Sequence, residues 1–303
     1  MSRLFQILLI LSAAPLFGAD CVSQTQKLRK PPMVLEVGSD NRLHMVGQTA
    51  LTRPLGKIAT AMAGPWWLTE MSDVIEAAAN NRKPILMADK MLEALNIRYA
   101  TRGLPLGEIP AQGPLVIVAN HPRFGVEGLA LTSLLSQVRP DVKIAVNQMM
   151  LTVPGFKEMA IGVNKDVSSQ ERSQTTKEMR QWLSEGHALI IFPAGEPSRM
   201  NREKGYYDDA PWSRSVPLLA RRYQAPVLPI HVSGNQPGIW FRLTDRFISK
   251  PVKSIYPMEI LRQQGQTIDL TLGNLIHPDE LKEQGSEQAV EYLRERTYSL
   301  APK

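Results

Sequence analysis

The chain has 303 residues and a net charge of +6, from 35 Lys and Arg against 29 Asp and Glu. With 43% hydrophobic residues it can build a sizeable core, which excludes wholesale disorder. A single cysteine, Cys21, excludes an internal disulfide framework and any multi-cysteine zinc or iron–sulfur site.

Residues 4–17 (LFQILLILSAAPLF) form the first distinct segment. As a helix they would be roughly 21 Å long at ~1.5 Å per residue, short of a bilayer core of about 30 Å. Two readings stay open: a secretory signal with Arg3 in front and small residues near Ala14 or Ala19, or a retained anchor. Lys27, Arg29 and Lys30 outnumber the basic groups in front of the segment, and positive flanks stay cytoplasmic. Residues 1–30 are therefore taken as a hydrophobic anchor or signal-like segment with a basic flank. Residues 31–97 are taken as a linker followed by helices, with apolar spacings of three and four over 68–80 and 84–95.

From residue 98 to 303 the texture becomes alternating strands and helices. Short apolar runs predict strands at Leu115–Ala119, 142–146, 188–192, Val227–Val232 and Thr267–Leu272. Helices are predicted over 127–137, which reads as amphipathic, and over 169–185, 212–223 and 288–298, with Gly186 closing the second. Strands alternating with helices of this length imply an α/β fold with a mostly parallel sheet flanked by helices.

Ligands of open α/β sheets bind beyond the carboxyl ends of the strands. The segments after three of the apolar runs are polar and rich in Gly and Pro: residues 120–128, 193–199 and 233–238. In the first, His121 and Glu127 are six apart across a Gly-containing turn. The chain can fold back so that the carboxylate binds one ring nitrogen and leaves the other facing outward as a base. The plainer reading is a strand-end histidine satisfied by a backbone carbonyl, with Glu127 complementing a helix N-terminus. Neither a Gly-x-Ser-x-Gly elbow nor a dinucleotide or P-loop motif accompanies the pair. A His/carboxylate pair without a protein nucleophile points to activation of the substrate's own hydroxyl or amine.

The run Asn120-His121-Pro122 to Glu127-Gly128, followed by Phe192-Pro193-Ala194-Gly195-Glu196 and Pro226-Val227-Leu228-Pro229, resembles the glycerolipid (lysophospholipid) acyltransferases. It is most similar to a bacterial branch that includes ornithine-lipid O-acyltransferases and hemolysin-like members. The resemblance spans about residues 95–281 and extends to Trp212, Gly234-Asn235 and the segment around Glu259.

It implies a glycerolphosphate-acyltransferase-like fold behind an N-terminal helical region. It further implies a reaction in which His121, oriented by Glu127, deprotonates an acceptor hydroxyl that attacks the thioester of acyl-CoA or acyl-carrier protein. No acyl-enzyme forms and no cofactor or metal is required. Asn120, Arg123, Lys165, Phe192, Pro193, Gly195, Glu196 and Arg199 are the substrate-binding positions it suggests.

Where the commoner third motif of that family has Glu and Arg, this chain has Ala194 and Pro197, which favours a polar head other than glycerol phosphate. Arg199, Arg202, Arg221 and Arg222 otherwise read as a solvated basic face. The implied partners are a lyso-lipid, either a lysophospholipid or lyso-ornithine lipid, the thioester donor and a membrane surface. The implied place is the cytoplasmic face of a bacterial inner membrane, in lipid biosynthesis. An exported or non-catalytic lipid-binding protein of the same fold is the alternative raised by residues 4–17. Nucleic-acid binding is set aside, since the basic residues are scattered and form no recognised module.

Overall fold

The structure is a computed structural model that describes residues 33–37, 43–47, 84–152, 156–163, 169–201, 203, 205–234, 237–238, 241–242, 245, 259–260 and 262–302. The apolar head at 4–17, the helix expected over 68–80, and Lys165, Arg202 and Asn235 lie outside the described residues. Among the described residues no helix is long and apolar enough to cross a membrane.

Met33–Val37 (β1) and Leu43–Gly47 (β2) pair antiparallel, where the sequence suggested a linker. Two five-residue runs flanking a Gly-Ser-Asp-Asn-Arg stretch carry hairpin chemistry too short to show a period. Pro84–Ala94 (α1) begins at proline, whose missing N–H costs nothing at a helix start. It ends as Asn96 turns left-handed at φ 50° and Ile97 N donates to Leu92 O at 2.8 Å.

There follow Arg98–Gly103 (β3), Leu115–Ala119 (β4), Val126–Ser136 (α2), Val142–Asn147 (β5), Phe156–Met159 (α3), Ala160–Val163 (β6), Ser169–Ser184 (α4) and Ala188–Ile191 (β7). The chain continues with Arg199–Asn201 (β8), Tyr206–Asp208 (β9), Ser215–Tyr223 (α5), Val227–Val232 (β10), Thr267–Leu272 (β11), Pro278–Lys282 (α6) and Ser286–Tyr298 (α7).

Seven strands form the main sheet in the order β3-β11-β10-β4-β7-β5-β6. Five of them, from β10 to β6, run parallel; β11 opposes β10 and runs parallel to β3. Alternate residues of a strand point to opposite faces, and the core divides accordingly. Leu115, Ile117 and Ala119 join Ile190, Leu228 and Ile230 under α1 and α2. Val116 and Val118 join Leu189, Ile191 and Val227 under α4, α5 and α7, which contribute Leu183, Val216, Leu219 and Leu293.

Two helices depart from the sequence reading. The α2 helix is buried on every side rather than amphipathic, because α1 lies across its outer face; Ser133 bonds both Asp89 and Tyr99. The α5 helix starts at Ser215 rather than at Trp212. Ser213 N is held by Pro193 O at 3.0 Å and the Trp212 indole by Asp209, so the approach stays extended.

Candidate active site

The strands β10, β4 and β7 are adjacent and parallel, so the loops at their carboxyl ends share one rim. The β4 loop carries the His121–Glu127 pair. His121 lies two residues beyond the last β4–β10 ladder pair, Ala119↔Ile230. The chain then reverses through Phe124 at φ 59° and Gly125 at φ 103°. A left-handed phenylalanine is a strained residue. Burial of its ring, edge-on to Phe241 with centroids 4.8 Å apart, helps hold it there.

This reversal brings Glu127, in the first turn of α2, back beneath His121. His121 Nδ1 lies 2.6 Å from Glu127 Oε1. The same carboxylate accepts the Arg123 amide at 2.9 Å and the Gly125 amide at 2.8 Å. Burial alone would push the Glu127 carboxyl pKa up. The charge of His121 and the hydrogen bonds from His121 and the backbone outweigh that and hold it below the ordinary glutamate range. Glu127 has no exposed side-chain surface, whereas His121 keeps 14% of its own, so only the histidine faces the rim.

Phe192, from the β7 loop, stacks on the His121 ring at 4.5 Å and 17°. With Nδ1 turned to Glu127 and one ring face on Phe192, Nε2 is the polar atom on the side away from the carboxylate. Gly195 turns left-handed at φ 68° and donates its N–H to Phe192 O, placing exposed Gly195 and half-buried Glu196 on the same rim. Pro193 is buried, its carbonyl taken by Ser213.

The other expected substrate contacts are occupied by the protein itself. The Asn120 amide donates to Val232 O at 2.9 Å and accepts from Val232 N at 2.7 Å, closing the β4–β10 pair beyond its ladder. Arg123 is buried and reaches Ser233 O, Ser233 Oγ, Gly234 O and the side-chain oxygens of Gln263 and Gln266. Burial draws its pKa down, against the pull of Glu127 and Asp269. Arg199 is ion-paired with Asp245, which also accepts Met200 N. Arg221, expected on a solvated basic face, instead donates to Leu281 O and to Gln284 O.

One residue at the rim was not legible in advance. Asp209, just after β9 and 7% exposed, accepts the His121 amide at 3.1 Å and the Ser198 hydroxyl at 2.6 Å on Oδ1, and the Trp212 indole at 2.9 Å on Oδ2. Ser198 N in turn donates to His121 O at 2.9 Å. Tyr298 Oη accepts the Asp209 amide at 3.2 Å; burial and then the Asp209 charge push that phenol well above its ordinary pKa. The acidic pair Asp208-Asp209 and the nearby Trp212 were the available signal, but neither names a partner.

Among the described residues no group of three or more His, Cys, Asp or Glu is arranged to hold a metal ion. A family model described as Acyltransferase matches residues 81–302. Over 204 residues the chain is 26% identical to Lyso-glycine lipid O-acyltransferase of Phocaeicola vulgatus, covering 65% of this chain and 71% of that one. It is 24% identical over 238 residues to Lyso-glycine lipid O-acyltransferase of Bacteroides thetaiotaomicron, covering 75% of this chain and 85% of the relative. The 1-acyl-sn-glycerophosphate (LPA) acyltransferase PlsC of Thermotoga maritima superposes with a TM-score of 0.46 at 13% identity, over 75% of this chain and 78% of its own.

Proposed function

The chain belongs to the acyltransferase family and is an enzyme that transfers acyl groups, and from that premise we propose that its acceptor is the hydroxyl of a lyso-lipid and its base is His121. The observation that carries this reading is the 2.6 Å His121–Glu127 pair at the shared rim, with the carboxylate wholly buried and the imidazole partly exposed.

Nε2 of His121 takes the proton of the acceptor hydroxyl as its oxygen attacks the thioester carbonyl carbon of acyl-CoA or acyl-carrier protein. The tetrahedral adduct collapses, the C–S bond breaks, and the departing sulfur recovers the proton from the imidazolium. The ester oxygen therefore comes from the lipid and the thiol leaves as the second product. Glu127 stabilises the imidazolium formed midway and keeps the Nδ1 proton on its own side. Catalysis by a positioned general base of this kind contributes about 10²- to 10⁴-fold.

An amino-acid head on the acceptor is favoured over glycerol phosphate. Two relatives are named for lyso-glycine lipid. Ala194 and Pro197 replace the Glu and Arg of the commoner third motif, and Arg123 and Arg199 are both engaged by protein acceptors. Gly195 and Glu196, on the same rim as His121, would receive such a head. The net charge of +6 suits work at an anionic membrane face with an acidic thioester donor, and residues 4–17 serve as an anchor.

The test is purified chain with labelled acyl-CoA or acyl-carrier protein and a panel of lyso-glycine lipid, lyso-ornithine lipid and lysophosphatidate. Label is expected in the two amino-acid lipids. Transfer to lysophosphatidate alone would reject the head-group reading, and transfer to none would reject the acceptor class.

A further inference from the structure

We infer that Asp209 is a positioning residue for His121, holding its main chain in place through a closed ring of hydrogen bonds with Ser198. The inference rests on His121 acting as the base. His121 lies past the last register pairs of β4, Val118↔Ile191 on one side and Ala119↔Ile230 on the other, so its backbone is outside the ladder. Asp209 Oδ1 takes the His121 N–H and the Ser198 O–H together, while Ser198 N–H returns to His121 O. Both main-chain polar groups of His121 are thereby clamped from one side. Glu127 and Phe192 orient the ring from the other.

Asp209 is itself held at both ends. Its Oδ2 accepts from Trp212, and its amide donates to Asp208 Oδ1 at 2.9 Å. Arg294 of α7 pairs with Asp208 at 2.5 Å and reaches Asp209 O at 3.3 Å. Among the described residues the Asp209 carboxylate meets three neutral donors and no cation. A buried charge satisfied in this way is costly to keep, and an apolar residue would fill the site without that cost. What the apolar residue could not do is grip the histidine's amide. Rim, third motif and C-terminal helix thus converge on the placement of one imidazole, and a displacement of about 1 Å at a reacting group costs on the order of 10²-fold in rate.

The test uses the full chain with labelled acyl-CoA and a lyso-lipid acceptor. Trp212→Phe removes one donor and leaves both contacts to Oδ1. On that background Asp209→Asn still offers an oxygen to His121 and Ser198, whereas Asp209→Ala offers none. We expect the Asn pair within about threefold of Trp212→Phe in kcat. The Ala pair should lose roughly 30- to 100-fold in kcat with KM within about twofold. The second readout is the downfield ¹H NMR resonance of the proton between His121 and Glu127, identified by its loss in Glu127→Ala. It should broaden in the Ala pair and persist in the Asn pair. Equal turnover of the two pairs, a loss confined to KM, or an unmoved resonance in the Ala pair would overturn the inference. If the Ala pair does not fold, Ser198→Ala takes its place: a kcat loss of about threefold or more at constant KM supports the clamp, and unchanged kcat rejects it. A parent chain that transfers no acyl group, yet whose resonance responds as stated, would retain the clamp and reject the proposed chemistry.

Discussion

Glu127 is a wholly buried carboxylate whose oxygens meet His121 Nδ1 and two backbone amides, and this has a consequence for stability. Its pKa in the folded chain lies below the unfolded value, so the unfolded chain binds more protons as pH falls through that interval. Its contribution is present above the unfolded glutamate pKa and is lost toward the folded one. Glu127→Gln should flatten the fall of the urea midpoint as pH drops below the ordinary glutamate range. It should also cut turnover roughly 10- to 100-fold, because the imidazolium loses its partner. An acid-side slope unchanged from the parent would contradict this assignment. At the residue scale the spacing of six left a His121–Glu127 contact as one of two readings, and the structure shows that contact. Asn120 and Arg123 were not: their types fit a polar substrate, but their acceptors, Val232 and Ser233, lie more than a hundred residues away.

The element that builds the site is the reversal between β4 and α2, and its left-handed turn is its weak point. Gly125 at φ 103° occupies a region closed to residues with a Cβ. Gly125→Ala should cost about 1–3 kcal/mol, seen as a lowered denaturation midpoint, and should lower kcat as Glu127 moves from His121. Asn120→Ala leaves the amide and carbonyl of Val232 without their partner. It should destabilise by about 2–3 kcal/mol, measured by chemical denaturation; a loss below about 0.5 kcal/mol would mean that the β4–β10 clasp is unimportant. The strands that place the rim were legible because they are buried on both faces and read as mostly apolar runs, as LVIVA does in β4. The strand β3 and the hairpin β8–β9 were not, because they are short or exposed: β3 reads RYATRG and shows no apolar face. The site's least legible residue, Asp209, follows that hairpin directly.

Across the whole molecule, the alternation of strands and helices implied a parallel sheet but not its order, nor the reversal of β11 and β3. Those features depend on long-range pairing, which leaves no local pattern. The rim opposite the site is closed by Arg139, fully buried, which grips Asp141 with two nitrogens and the carbonyls of Pro110, Gly113 and Gly186. Arg139→Met should cost about 3 kcal/mol in denaturation free energy while leaving the KM values unchanged, because the staple and the rim lie at opposite ends of the sheet. At this scale too, deleting residues 1–30 should reduce binding to anionic phospholipid vesicles, and retained binding would move the membrane contact elsewhere in the chain.

The central claim is that the partly exposed imidazole paired to Glu127 removes the acceptor's proton. It is tested most directly by the rate of labelled acyl transfer from thioester to lyso-lipid by parent and His121→Ala chains, compared at equal folded concentration. The account predicts a loss of about 10²-fold or more in kcat. Turnover of His121→Ala equal to the parent's would contradict it.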